Sequence, residues 1–222
     1  MKNYKILLFD LDGTLSDPKI GITKSVQYAL KKMNIDEPSI DKLEAFIGPP
    51  LQDSFAQFYD MNEETTKTAL DFYRERFKEK GMFENTLYPM IPELLTSLKE
   101  QHYKLVVATS KPTVFAEEIL KYFQINSYFD LIVGSHLNGT RRAKTDIIQY
   151  ILNQYQDNSI DDFIMIGDRK HDIIGAQNTE IDSIGVTYGY GSIEEIQQAE
   201  PTYIVPSVEG LFQLLLPSKI NS

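Results

Sequence analysis

Ile6-Leu7-Leu8-Phe9 is a run of large apolar side chains that stops on Asp10-Leu11-Asp12-Gly13-Thr14. A short apolar run bounded by turn residues is the pattern of a buried strand. If the strand continues, period-two alternation sends Asp10 and Asp12 the same way. Neighbouring carboxylates repel, so keeping both ionised requires a cation, or an anion with its metal, between them. Gly13 lets the backbone turn sharply where a ligand must come close. Asp-Gly is also a common turn signal, and the same residues would serve as an acidic turn after a core strand. The rest of the chain decides between the two.

After Asp17-Pro18 the texture is helical. Ile22, Val26, Ala29, Leu30 and Met33 recur at helical spacing, with Thr23, Lys24 and Gln27 on the other face. Pro38 interrupts this helix, Ser39 is expected to cap a short one carrying Leu43 and Phe46, and Gly48-Pro49-Pro50 makes a rigid turn. Leu51, Phe55 and Phe58 resume the period, and Asn62 caps a longer helix that ends at Gly81. From Pro89 helices and strands alternate. Strands are predicted at 105–108, 131–133, 163–166, 183–187 and 203–205, with helices at 91–100, 114–122, 145–155, 173–178, 193–198 and 208–216. Such alternation predicts an α/β fold with a Rossmann-like parallel sheet. The expected division is an α/β core of residues 1–17 and 83–222, with an all-helical cap, 18–82, inserted after the first strand.

The chain of 222 residues carries a net charge of -10, which argues against a partner that is a nucleic-acid polymer, since such binding needs a basic face. It has no cysteine, so thiol nucleophiles, thiolate metal sites and disulfides are excluded. No apolar stretch approaches the roughly 20 residues of a membrane span. The N-terminal apolar run is too short for a signal peptide. A soluble, cytoplasmic protein is expected.

Ligands of open α/β sheets bind outside the carboxyl ends of the strands. The polar residues concentrate there: Asp10 and Asp12 after the first strand, Thr109 and Ser110 after the second, Asp168 and Asp172 after a later one. Packing alone does not account for that convergence. Oxygen-only donors point to Mg²⁺, which takes one or two carboxylates with waters and substrate phosphate. Lys144, with Arg141 and Arg142 nearby, supplies the positive charge a phosphoryl group needs.

In order and in context, Asp10-Leu11-Asp12-Gly13-Thr14, Thr109, Lys144 and Gly167-Asp168-Arg169-Lys170-His171-Asp172 resemble the four motifs of the haloacid dehalogenase-like superfamily of phosphatases. The resemblance spans nearly the whole chain, and the block from Pro18 to Met82 resembles that superfamily's helical cap. It implies that Asp10 is a nucleophile forming an aspartyl-phosphate and that Asp12 is the general acid and base. It implies Mg²⁺ held by Asp10, Asp12 through its backbone carbonyl, Asp168 and, through water, Asp172, which would otherwise steady Lys144. Thr109, Ser110 and Lys144 would bind the phosphoryl oxygens. Dehalogenases of the superfamily lack the second Asp, which favours phosphoester hydrolysis.

Other signals are less specific. Gly48-Pro49-Pro50 resembles the family's specificity loop, and Lys111 either meets substrate or is solvated. His171 is expected to face water, Arg169 and Lys170 to balance local charge, and Tyr188-Gly189-Tyr190-Gly191 to be a mobile loop. The family lysine is commonly followed by proline in phosphoglycolate phosphatases, whereas Gly139-Thr140-Arg141-Arg142-Ala143-Lys144-Thr145 resembles the 5'-nucleotidase-like branch. The expected substrate is a small phosphorylated metabolite, a nucleoside 5'-monophosphate or 2-phosphoglycolate. A sugar-phosphate mutase, a pyrophosphatase and a phosphorylatable switch remain as alternatives, and the proposed acid at Asp12 counts against the switch. Hinges are expected near 16–19 and 83–88.

Overall fold

The apolar run Ile6–Phe9 forms a strand at the centre of a six-stranded sheet. In the computed structural model, which describes residues 2–216, the first half of the chain runs β1 (Ile6–Phe9), β2 (Ser16–Asp17), α1 (Lys19–Lys32), α2 (Leu51–Tyr59), α3 (Glu63–Glu79), β3 (Thr86–Leu87) and α4 (Ile91–Glu100). Then come β4 (Lys104–Pro112), α5 (Thr113–Tyr122), β5 (Leu131–Ser135), α6 (Lys144–Gln154) and β6 (Phe163–Gly167). The last elements are α7 (Lys170–Asn178), β7 (Asp182–Val186), α8 (Ile193–Gln198), β8 (Tyr203–Val205) and α9 (Val208–Leu215).

The main sheet has the order β5-β4-β1-β6-β7-β8, every pair parallel. Alternation along β1 explains its uninterrupted apolar run. Leu7 and Phe9 pack on one face with Leu105, Val107, Ile164 and Ile166, while Ile6 and Leu8 pack on the other with Ile147, Ile148 and Ile151 of α6. All four β1 side chains are fully buried, and each such burial contributes about 1.5–3 kcal/mol.

The residues between β1 and β4 include α1, α2 and α3, a helical unit that packs over the carboxyl end of the sheet. Asn62 caps α3 as expected, its side chain accepting from the Thr65 N–H at 3.0 Å. The Tyr73 and Phe77 rings stack at 5.2 Å on α3, and Phe77 meets Phe115 of α5 edge-on at 5.5 Å. Two local readings differ. Ser39 caps no helix: its N–H donates to the Glu37 carboxylate, and the segment that follows, Asp41–Phe46, is a 3-10 helix after Ile40. The sequence also gave no sign of the small antiparallel ladder in which Ser16 faces Leu87 and Asp17 faces Thr86. Two-residue strands are too short to show a period. Among the described residues no helix is long and apolar enough to cross a membrane.

Candidate active site

Counting only the six strands of the main sheet in chain order, their lateral order is 3-2-1-4-5-6, so the winding reverses between β1 and β6. A crevice opens at the carboxyl ends of such a pair. The Asp10 N–H donates to the Ile166 carbonyl at 2.9 Å, which sets Asp10 beside the end of β6 and next to Asp168. Asp10, Asp168 and Asp172 are all buried, and each offers a carboxylate oxygen, the three lying within 4.8 Å of one another.

Lys144, the first residue of α6, is buried with them. Its Nζ stands 3.0 Å from Asp10 Oδ1 and 2.7 Å from Asp172 Oδ1, and it donates to the Ala108 carbonyl at 2.7 Å. One ammonium does not balance three carboxylates. Burial, with Asp172 and Asp10 adding to it, holds the Asp168 carboxyl well above its usual range. Burial likewise pushes Asp172 up to about 6, against the pull of Lys144.

The donor set fits Mg²⁺: oxygen only, carboxylate-rich and short of positive charge. The backbone is shaped to it as well. A Cβ at Gly13, where φ is +83°, would come within 2.1 Å of Asp168 Oδ2, and one at Gly189 within 2.4 Å of Asp168 Cβ. Asp168 is thus wrapped at two positions that admit only glycine. Thr14 Oγ1 donates to its Oδ1 at 3.4 Å and the Tyr190 N–H to its Oδ2 at 2.7 Å.

The Asp12 carboxylate lies outside this group of three. The strand stops at Phe9, and the N–H groups of Thr14, Leu15 and Ser16 turn back onto the Leu11 carbonyl, so alternation does not carry through to Asp12. Instead Asp12 Oδ2 pairs with Lys111 Nζ at 2.6 Å, and Asp12 Oδ1 is buried without a hydrogen-bond partner. Burial raises the Asp12 carboxyl above its usual range although Lys111 opposes this. Lys111 is therefore buried rather than solvated, with Nζ 4.8 Å from the centre of the Phe77 ring. Thr109 is buried and its Oγ1 accepts from the Lys111 N–H at 3.3 Å, while the Ser110 carbonyl accepts from Ser135 Oγ at 2.8 Å.

Above these residues lies a narrow cleft. Asp10, Asp12, Thr109, Ser110 and Lys111 line its sheet side, and Phe46, Gly48, Leu51, Leu70, Tyr73 and Phe77 line its helical side. Gly48 stands in this wall with a φ of +101°. Arg141 and Arg142 stand outside it. Arg141 Nε donates to the Gly134 carbonyl at 3.0 Å with its guanidinium over Tyr150, and Arg142 pairs with Asp53 at 3.2 Å.

Several residues take parts that the sequence did not signal. Phe46, Tyr73 and Phe77 sit at helical spacing and read as core, yet they also face the cleft. Arg74 and His136 line it without any motif. His171 is half-buried rather than facing water, and burial lowers its imidazole. The 188–191 loop is tied down: Tyr188 OH donates to the Thr14 carbonyl at 2.9 Å, and Tyr190 OH donates to Asp17. Its alternating Tyr and Gly were the available signal, since glycines at close backbone approach mark a ligand or a packed carboxylate.

A parallel sheet that reverses its winding beside a buried acid triad defines a class, and the model of the haloacid dehalogenase-like hydrolases matches residues 7–186; the chain belongs to that family. Among particular proteins, it is 45% identical over 212 residues to a 5'-nucleotidase of Pseudomonas aeruginosa, covering 96% of each chain. It is 32% identical to the tyrosine-protein kinase PtkA of Mycobacterium tuberculosis, over 90% of this chain and 68% of that one. A phosphoglycolate phosphatase of Colwellia psychrerythraea is 30% identical over 91% of this chain and 93% of its own. The crystal structure of a predicted phosphatase from Clostridium acetobutylicum superposes with a TM-score of 0.93 at 51% identity, covering 96% of this chain and 99% of that one.

Proposed function

We propose that this hydrolase cleaves phosphate monoesters through a phosphoryl group carried on Asp10, with Mg²⁺ as its metal and a cytosolic nucleoside 5'-monophosphate as its substrate. The observation that carries this reading is the two-sided cleft. Its floor holds carboxylates, hydroxyls and Lys111, and its helical wall is largely aromatic and aliphatic. A nucleotide has one highly charged end and one flat apolar end, and both find a surface here. The likeness to a 5'-nucleotidase supports the same choice. 2-Phosphoglycolate, charged at both ends, would use Lys111 and Arg74 in the cleft but leave the aromatic wall without a partner.

Mg²⁺, held by Asp10, Asp168 and Asp172 with the Asp12 carbonyl, would supply screening of the phosphoryl charge. Lys144 fixes Asp10 and Asp172 in place. An Asp10 oxygen bonds to phosphorus as the ester oxygen leaves, and Asp12 gives that oxygen its proton. The raised Asp12 carboxyl suits it to hold that proton. Water then attacks phosphorus, Asp12 takes its proton, and the bond to Asp10 breaks to release orthophosphate. Thr109 and Ser110 are assigned with Lys144 to the phosphoryl oxygens, and Gly48 and Lys111 to the choice of alcohol. The helical unit acts as a cap that excludes water from the site.

The test is release of inorganic phosphate from nucleoside monophosphates, 2-phosphoglycolate, pyrophosphate and sugar phosphates, with Mg²⁺ and with EDTA. Turnover of nucleoside monophosphates above the others, abolished by EDTA, is expected. Isomerised sugar phosphate without phosphate release would establish a mutase instead.

A further inference from the structure

Arg169 lies between two of the clustered acids in sequence, yet its side chain reaches away from them. Its backbone N–H donates to Asp172 Oδ2 at 3.1 Å. The guanidinium, largely buried, donates from Nη1 to the Ile47 carbonyl at 2.5 Å, and from Nε and Nη2 to the two Glu195 oxygens at 2.9 and 3.4 Å. Ile47 begins the Gly48-Pro49-Pro50 turn in the cleft wall. Gly48 is seated on the arginine stem so closely that a Cβ there would approach Arg169 Cγ to 2.8 Å. Glu195 is itself held, since it also accepts from the Lys170 N–H at 2.9 Å.

An ordinary ion pair would account for Arg169 and Glu195. It would not account for the donor spent on a carbonyl of the helical unit, nor for a glycine shaped to the stem. Two other arginines bridge the same two layers, Arg74 to the Leu137 carbonyl at 2.8 Å and Arg142 to Asp53 at 3.2 Å. Both bonds are exposed, where water competes and such contacts contribute little. The Arg169 bond is shielded and charge-assisted, and so carries more.

We propose that Arg169 is a positioning residue, a latch oriented by Glu195 that holds the 47–50 turn against the acid cluster and so sets affinity for the alcohol part of the ester. The kinetic part of this inference rests on the phosphomonoesterase reading; the structural part does not. Three variants test it: Arg169→Gln, Arg169→Lys and Glu195→Gln. The first readout is amide hydrogen exchange of residues 46–48 and 51–54 in the ligand-free protein. Loss of one shielded charge-assisted bond predicts exchange there about tenfold faster or more in Arg169→Gln. Arg169→Lys recovers part of the protection, and Glu195→Gln falls between it and the parent. The second readout compares a nucleoside monophosphate with p-nitrophenyl phosphate, whose alcohol is small. In Arg169→Gln, KM for the nucleotide rises about tenfold while kcat for the small ester stays within about twofold. Unchanged exchange at 46–54 in all three variants overturns the latch, as does an equal fall of kcat on both esters. If the parent protein hydrolyses no phosphate ester, the functional reading fails and the exchange result still judges the latch.

Discussion

Asp10 is placed by parity as much as by chemistry. It shares the sheet face of Ile6 and Leu8, the face covered by α6, and so meets the first residue of that helix, Lys144. Asp10→Asn keeps the shape and removes the attacking charge, so phosphate release should fall by at least about 10³-fold. Retained turnover in a steady-state assay would reassign the nucleophile. Asp168 gives a second, opposite test. Its carboxyl is raised in the fold above the ordinary 3.8, so its contribution to stability is complete below that pH and is lost as pH rises through the folded value. Metal-free Asp168→Asn should therefore melt about 3 °C or more above the parent at pH near 7.5, the gap closing toward pH 4, while it loses both activity and the stabilisation by Mg²⁺. Calorimetry in EDTA and then in Mg²⁺ measures both. These acids were legible in the sequence because each ends an apolar strand. The pairings of Lys111 and Arg169 were not, because their partners Asp12, Ile47 and Glu195 are joined to them only by the fold.

At the scale of elements, helices and strands of the core could be read from period and length, several to the residue: Ile193–Gln198 and Tyr203–Val205 have the predicted bounds. What periodicity does not carry is the loop after β7. Tyr190 joins the acid cluster through its N–H and the β2–β3 ladder through its hydroxyl on Asp17. Gly189 is where the loop passes closest to Asp168. Gly189→Ala should cost about 2 kcal/mol of stability by overpacking. It should also weaken Mg²⁺ binding by about tenfold, since the displaced group is a ligand carboxylate. Titration calorimetry reads the second effect, and unchanged binding would mean that the loop only packs there.

The whole molecule is acidic, and two of its lysines, Lys111 and Lys144, are buried at the carboxyl edge of the sheet. Such a body admits a small anion and repels a long one. No retardation of a DNA duplex is expected at about 50 mM salt, where basic proteins bind strongly. Binding in a mobility-shift assay would contradict the small-metabolite reading. The chain crosses between the helical unit and the sheet layer through the two strands of the β2–β3 ladder, hydrogen-bonded side by side. Paired crossings behave as a flat ribbon rather than a swivel. Any swing of the helical unit would then follow a single arc and bring Phe46, Tyr73 and Phe77 back to the same seat in the cleft.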